Sequence, residues 1–375
     1  MSSHICSTPK INKFILLAFL LTAARANADT IKVLIPSKDW QLTIECDLFK
    51  PWEVLNQSLI LGGRTADGIE IKIFRRKTAP NTNPRHQRKD LTETPAFKSG
   101  QRQIIEQLEV NGIAVLIQCW VNPSLPGFNA SQLAQAKERA RNKWIYHGFV
   151  VKDDTAFEIR FIADITRHKR ETLVDIFKSF RIGHSPEAED YKKLDAELVA
   201  PTGSDATGHV TNRLQLVTDF AQKYPNNPEA QVLLGDYYFD AKKLPQAQQY
   251  YEKALQNHQT QPISNPRMLL AAHENLAHCY NASGKHEPAV KNLKSAYKIV
   301  WRIAGQKQAG KIAYKLARVL AAANDSRQSL KYLRESIDID LRVKEKAKAD
   351  PAFETLRRSQ RFKEIVSKDY HPPTD

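Results

Sequence analysis

Apolar and polar positions follow two different patterns along this chain of 375 residues. In the first part, apolar residues come in short alternating or continuous runs, such as Leu42–Cys46, which predict β-strands. In the second part they recur at helical spacing, which predicts a series of amphipathic helices. We therefore predict an α+β domain over residues 29–183, a linker over 184–208 and an all-α solenoid over 209–368.

The first region has the features of an antiparallel sheet with flanking helices. Asn111-Gly112 separates two apolar runs, and this dipeptide favours a tight two-residue hairpin turn. Asp153-Asp154 marks a second turn, and an amphipathic helix over 173–180 precedes Gly183. Strands in antiparallel order, with helices between and after them, predict an α+β sandwich.

The end of this region resembles a known class of small domains. A hairpin of Tyr146–Phe149 and Phe157–Phe161 leads into a helix that ends in the sequence Ser179-Phe180-Arg181. This arrangement is similar to the ending of PsbP/Mog1-like domains. The resemblance implies a small non-enzymatic docking domain, and it transfers no functional residue to this chain.

Three stretches of the second region share one spacing of small and large residues. The first consists of Gly235, Tyr238, Ala247, Tyr251 and Ala254. The same offsets recur from Ala277 and from Ala317. Small residues at such positions let two helices approach closely, and large residues fill the seam between them. The spacing resembles that of tetratricopeptide repeats, which stack helical hairpins and present a binding surface.

The flanks of these stretches fit a short array. The stretches begin 42 and 40 residues apart, whereas the repeat period is about 34, so additional segments must be inserted. The polar segment His258–Pro266 is a natural place for one insertion. A degenerate entry helix over 214–220 precedes the array, and Asp350-Pro351 begins the closing cap that a solenoid needs.

The resemblance implies a concave groove lined by the first helix of each hairpin. Carried onto this chain, the groove positions are Val232, Asp236, Phe239, Glu274, His278, Asn281, Tyr314 and Arg318. The set mixes charged, aromatic and amide groups, which suits a peptide or a helix of another protein. The alternative is an ordinary solvated surface.

Residues 1–28 have the features of a secretory signal peptide. Two lysines precede an apolar run over 14–21, and Ala26-Asn27-Ala28 fits a cleavage site. We therefore expect export to the periplasm, or secretion, with Asp29 as the first residue of the mature chain. An uncleaved membrane anchor is the alternative, although the apolar run is short for a span.

The composition is basic, with a formal net charge of +15 at neutral pH. After export we expect no nucleic-acid partner, whereas an anionic membrane surface or an acidic protein fits a basic surface. The densest basic segment is a loop with the cations Arg75, Arg76, Lys77, Arg85, Arg88 and Lys89. This loop could contact lipid phosphates, or it could be a solvated excursion between strands.

The cysteines allow one disulfide in the first region. Cys46 and Cys119 each lie in a predicted strand, and in an oxidising compartment they could pair if their strands are neighbours. Otherwise they are two separate buried thiols. Cys279 lies inside a repeat helix, where we expect it in the core.

The sequence favours no catalytic, cofactor or metal site. His273 and His278 lie five residues apart, whereas two metal ligands on one helix face need a spacing of four. The turn at Gly62-Gly63 lacks the following lysine of a phosphate-binding loop.

The hypothesis from the sequence is a non-enzymatic, exported adaptor or assembly factor that binds another protein in its repeat groove. An envelope enzyme, such as a cell-wall hydrolase or its accessory, with a site in the first domain is the alternative from another class. Attachment to a membrane surface through the basic loop is the third hypothesis. A deep cleft in residues 29–185 would favour the enzyme, and a long groove over 229–320 would favour the adaptor.

Overall fold

The structure is a computed structural model that describes residues 28–35, 38, 40–47, 50–51, 59–78, 82–86, 89, 93, 101–120, 130–199, 206–367 and 369–372. Within these residues, an antiparallel β-sheet region is followed by a helical region, which confirms the predicted fold class. The predicted signal peptide lies outside the described residues except for Ala28, which begins the first strand.

The strands of the first region are β1 (Ala28–Ile35), β2 (Trp40–Asp47), β3 (Lys50–Pro51), β4 (Leu59–Arg64), β5 (Glu70–Lys77), β6 (Arg102–Val110), β7 (Ile113–Trp120), β8 (Lys143–Lys152), β9 (Thr155–Asp164) and β10 (Arg181–His184). They form two antiparallel sheets, one in the order β1-β2-β10 and one in the order β3-β4-β5-β9-β8-β7-β6. Helix α1 (Ala130–Asn142) lies between β7 and β8, and helix α2 (Arg170–Ser179) lies between β9 and β10.

The core of this region lies between the two sheets and α2. Alternate residues of β2, such as Leu42 and Ile44, are fully buried with residues of the larger sheet and of α2. The rings of Phe161 and Phe177 join β9 to α2 with their centroids 4.5 Å apart. The alternation seen in the sequence is therefore the inward face of a sheet, as expected for a half-buried strand.

Both predicted turns close hairpins of the larger sheet. Asn111 and Gly112 join β6 to β7 with φ of 49° and 77°. Positive φ at both central residues is the requirement of the tight turn that an Asn-Gly pair favours. Asp153 has a φ of 53° in the turn between β8 and β9.

The helices of the second region are α3 (Pro186–Val199), α4 (Ala206–Lys223), α5 (Pro228–Asp240), α6 (Leu244–Asn257), α7 (Pro266–Ala282), α8 (His286–Ile303), α9 (Gly305–Ala322), α10 (Ser326–Ile339), α11 (Val343–Ala349) and α12 (Gln360–Ile365). The pairs α5–α6, α7–α8 and α9–α10 form antiparallel hairpins that stack on one another. Beyond them, the Asp350 carboxylate accepts a hydrogen bond from the Ala352 amide (3.0 Å) and caps a short 3-10 helix, Pro351–Phe353.

The small and large residues of the repeat pattern meet across each hairpin. Tyr251 is fully buried against Gly235, where an added Cβ atom would lie 2.6 Å from the tyrosine Cε1 atom. The glycine therefore lets α5 and α6 approach closely enough for the tyrosine ring to fill the seam. In the third hairpin, Ser336 on α10 donates a hydrogen bond to the carbonyl of Gly310 on α9 (2.8 Å).

The segment 184–208, which was predicted as a linker, consists largely of helix α3. Pro186 stands at the start of α3, and Ser185 Oγ accepts a hydrogen bond from the Ala188 amide (3.2 Å). Proline at this position and serine before it are helix-start signals. Ala188 and Leu194 are buried, so the helix also has an apolar face.

Glu187 of α3 connects the two regions. Its carboxylate forms an ion pair with Lys32 of β1. The same carboxylate accepts hydrogen bonds from Asn227 Nδ2 (3.0 Å) and from Gln261 Nε2 (2.8 Å). Asn227 is the N-cap of α5, so one side chain joins the sheet, the start of the array and the inserted segment.

The inserted segment between α6 and α7 lies against the first region. The amide of Lys32 donates a hydrogen bond to the carbonyl of Thr260 (2.8 Å). Because β1 is at the edge of its sheet, this bond uses a backbone donor that no other strand pairs with. His258 is buried in the same segment, and its Nδ1 accepts from the Ile263 amide (2.9 Å).

Of the two states that the sequence left open for Cys46 and Cys119, the structure has two separate buried thiols and not a disulfide. Cys46 lies on β2 of the smaller sheet and Cys119 lies on β7 of the larger sheet, so their strands are not neighbours. Both residues are buried thiols. Cys279 of α7 is also a buried thiol, as expected for a core residue of a repeat helix.

Candidate binding groove

The first helices of the three hairpins surround one cavity of about 280 Å³. Residues of α5, α7 and α9 contribute to its walls. Five of the eight residues that we predicted from the sequence line it: Phe239, Glu274, His278, Asn281 and Arg318. We call this cavity and its lining the groove.

An aromatic contact forms part of the groove lining. The rings of Phe239 and His278 meet edge to face, with their centroids 5.2 Å apart. Burial lowers the pKa of His278, and the positive charges of Lys315, Lys242 and Arg318 lower it further. The imidazole is therefore neutral near pH 7 and offers hydrogen bonds together with an aromatic surface.

Charged side chains also line the groove. Lys315 forms an ion pair with Glu274 across α9 and α7. Arg318 forms an ion pair with Asp350 of the cap, with Nε 2.9 Å from Oδ2. We did not predict Lys315 from the sequence, although it lies four residues after Lys311 on one helix face.

Asp236, which was also predicted as a groove residue, does not line the cavity but binds a residue that does. Its Oδ1 accepts hydrogen bonds from the Tyr251 hydroxyl (2.5 Å) and from Asn275 Nδ2 (3.1 Å). Burial raises the pKa of Asp236, and the two hydrogen bonds oppose that rise. Asp236 thus joins α5 to α6 and α7, and it holds Asn275, which lines the groove.

The other two predicted groove residues, Val232 and Tyr314, do not line this cavity either. Val232 is fully buried in the core between α5, α6 and α7, so its prediction as a surface residue is wrong. Tyr314 is only 4% exposed, and its hydroxyl donates to Asp350 Oδ2 (2.7 Å). It lines a second, larger cavity, which shares Lys315 and Arg318 with the groove.

The cations of the basic loop in the first region have different surroundings. Arg76 reaches Glu158 with its Nη2 3.2 Å from Oε2, and Arg85 reaches Glu109 at 2.6 Å. Arg76 and Lys77 are exposed at the end of β5, together with Lys89 farther along the loop. Arg75 is half-buried, and Arg88 lies outside the described residues.

The first region contains a buried polar cluster on its larger sheet. His147 Nδ1 lies 3.0 Å from Glu158 Oε1, and Gln118 Nε2 lies 2.6 Å from His147 Nε2. Burial acts to raise the pKa of Glu158, but the hydrogen bond from His147 and the charge of Arg160 outweigh it and lower the pKa to about 2. The side chains of His147 and Glu158 are only 2% and 7% exposed, so the pair is inaccessible to a substrate.

The described residues contain no group of three or more potential metal ligands. His273 Nδ1 lies 2.8 Å from Asn292 Oδ1 and joins α7 to α8 within one hairpin.

None of the helices in the described ranges is long and apolar enough to cross a membrane.

The helical hairpins and the groove between their first helices are the geometry of a known repeat. Residues 226–300 match the tetratricopeptide repeat family. The match covers α5 to α7 and nearly all of α8, and it confirms the resemblance inferred from the spacing of small and large residues. Tetratricopeptide repeats support protein–protein interaction.

Solved structures with some similarity to the chain are distant. The solution structure of cyanobacterial PsbP (CyanoP) from Synechocystis sp. PCC 6803 covers 42% of this chain and 94% of its own, at 11% identity and a TM-score of 0.28. A 1.50 Å crystal structure from Bacteroides thetaiotaomicron covers 69% of this chain and all of its own, at 10% identity and a TM-score of 0.25. A search of curated proteins found no match.

Proposed function

We propose that this protein is a non-enzymatic adaptor that binds a segment of another protein in the groove. The convergence of Phe239, Glu274, His278, Asn281 and Arg318 around one cavity carries the proposal. The aromatic, charged and amide groups of one cavity offer apolar contact and directional hydrogen bonds to a peptide. The family match at 226–300 supports this use of the surface.

Filling the groove tests the proposal. Asn281 is exposed and lines the groove, so Asn281→Trp places a bulky ring in a cavity of about 280 Å³ without removing a core contact. Gln256→Trp on α6 is the matched control, because Gln256 is exposed and lies outside the groove lining. Proteins from a cell-envelope extract would be captured on each variant and quantified by mass spectrometry.

We expect at least one protein to be captured by the wild type and by Gln256→Trp, and to be reduced about tenfold or more by Asn281→Trp. Such a loss corresponds to about 1.4 kcal/mol of binding free energy. Capture of the same proteins at equal levels by all three forms would overturn the proposal.

We further propose that the protein acts after export, in the periplasm or outside the cell. The lysines, apolar run and cleavage triplet of residues 1–28 support this localisation. Cell fractionation followed by N-terminal sequencing should find a chain that starts at Asp29 in the envelope fraction. A chain that keeps residues 1–28 and stays in the cytoplasm would refute export.

A further inference from the structure

A second cavity, of about 530 Å³, lies beside the groove and shares Lys315 and Arg318 with it. Its walls come from α9 on one side and from the end of α10 and α11 on the other. We call it the basic cavity. Its volume lies in the range of small-ligand pockets and is large enough for the side chains of a short peptide.

The inner surface of the basic cavity is apolar. Ile339 and Val343 line it together with Gly310 and Tyr314 of α9. A Cβ atom at Gly310 would lie 2.9 Å from Ile339 Cγ2, so the glycine brings the end of α10 close to α9. The ring of Tyr314 is held in place by the hydrogen bond of its hydroxyl to Asp350.

The rim of the basic cavity is strongly cationic. Six cations line it together with one carboxylate, that of Asp340: Lys307, Lys311, Lys315, Arg318, Arg342 and Lys346. Lys315 and Arg318 also form the ion pairs with Glu274 and Asp350 described above. Arg342 pairs with Asp340 (2.9 Å), and Lys346 lies over the Tyr314 ring with its Nζ 4.4 Å from the centroid. Within the part of the chain that the structure describes, no carboxylate lies within salt-bridge distance of Lys307 or Lys311, which are both exposed.

Three of these cations form a ladder with a regular step. Lys307, Lys311 and Lys315 follow one another at intervals of four residues along α9. Four residues of an α-helix advance about 6 Å. Alternate residues of an extended peptide lie on one side of the chain and repeat about every 6.6 Å, so the two steps nearly match.

From this geometry we propose that the basic cavity binds an extended acidic peptide segment with carboxylates at alternate positions. One side of the peptide places its carboxylates on the α9 ladder, and the other side places apolar side chains against Ile339 and Val343. This inference rests on the proposed function, because it names the class of ligand that the repeats receive. A peptide fits better than a bilayer surface, because the apolar part of the site is recessed between helices.

The test uses fluorescence anisotropy with a labelled probe, the peptide Glu-Leu-Glu-Leu-Glu flanked by glycines. Gln-Leu-Gln-Leu-Gln removes the charge, and Glu-Glu-Glu-Leu-Leu keeps the composition while it loses the alternation. Lys307→Glu with Lys311→Glu reverses the two cations that have no carboxylate within salt-bridge distance among the described residues. Lys291→Glu with Lys298→Glu is the matched control, since both lysines are exposed on α8 and outside both cavities.

We expect the probe to bind the wild type and the control alike, and to bind the Lys307/Lys311 variant at least about tenfold more weakly. Both comparison peptides should also bind more weakly, and salt should weaken binding of the probe. The milder variant Lys307→Gln with Lys311→Gln should also bind the probe more weakly than the wild type. This variant keeps the test valid if charge reversal disturbs folding.

Equal binding to the wild type and to both Lys307/Lys311 variants, or no binding to the wild type, would overturn the inference. Binding to vesicles of anionic phospholipid that depends on these lysines, with no peptide binding, would assign the site to a membrane instead. If the probe fails while Asn281→Trp still blocks capture, only the ligand class is wrong. If the probe binds as expected while Asn281→Trp changes no capture, the function proposed for the groove is wrong.

Discussion

Glu187 should contribute more to stability than any surface carboxylate of α3. The change Glu187→Ala removes the acceptor of Asn227 and Gln261, which are 1% and 6% exposed, and leaves both amides buried without that partner. A buried donor left without a partner costs about 1–3 kcal/mol. The ion pair with Lys32 adds little, because the lysine side chain is 29% exposed and solvent screens it. We therefore expect a loss of about 2–5 kcal/mol in the free energy of unfolding.

Urea unfolding of the full chain measures this loss. Far-UV circular dichroism follows the helical region, and tryptophan emission reports mainly on the sheet region, where Trp40 and Trp144 lie. Glu189→Ala on the same helix is the control, because its carboxylate pairs with Lys193 on the surface (2.8 Å), and we expect a change within about 0.5 kcal/mol.

The contacts of Glu187 also predict which part of the molecule loses stability. The amide of Lys32, which donates to Thr260 across the two regions, should exchange with deuterium faster in Glu187→Ala than in the wild type. If Glu187→Ala unfolds at the same urea concentration as Glu189→Ala, the carboxylate does not hold the two regions together.

Two further changes test packing and protonation. Gly235→Ala should cost about 1–3 kcal/mol in thermal unfolding, because the new Cβ atom meets the Tyr251 ring, and a neutral or stabilising result would refute the close approach of α5 and α6. Burial lowers the pKa of His258 to about 3, whereas the unfolded chain takes up that proton near pH 6.5. The stability due to neutral His258 is therefore complete above pH 6.5 and falls between pH 6.5 and 3, by up to ~1.4 kcal/mol per pH unit. The free energy of unfolding should fall more steeply from pH 6.5 to 5 in the wild type than in His258→Asn, and equal slopes would contradict this.

The fold was predictable wherever local spacing decides it. Asn111-Gly112 favours a tight hairpin turn independently of the rest of the chain. Gly235 and Tyr251 define the contact between two helices of one hairpin within 17 residues. The helix that begins at Pro186 was not predicted, because Ser, Pro and Asp residues occur both in loops and at the start of helices. The buried face of α3 resolves this ambiguity, and that face needs partners from distant parts of the chain.

The groove was predictable only in part, for a related reason. Repeat positions give the helix face, so Phe239, His278 and Arg318 were found. They do not give the depth of a residue, and Val232 is fully buried because α7 packs against it. Asp236 is bound by Asn275, which lies 39 residues later, and no local pattern shows such a contact.

The central claim is that the groove receives another protein, and site-specific photo-crosslinking tests it most directly. A benzophenone amino acid would replace His278, which is exposed in the groove, or Lys298, which is exposed on α8 outside the groove lining. After irradiation in intact cells, we predict a crosslinked partner from position 278, its suppression by Asn281→Trp, and no adduct from position 298. Adducts from position 298 alone, or adducts from position 278 that Asn281→Trp leaves unchanged, would contradict the account.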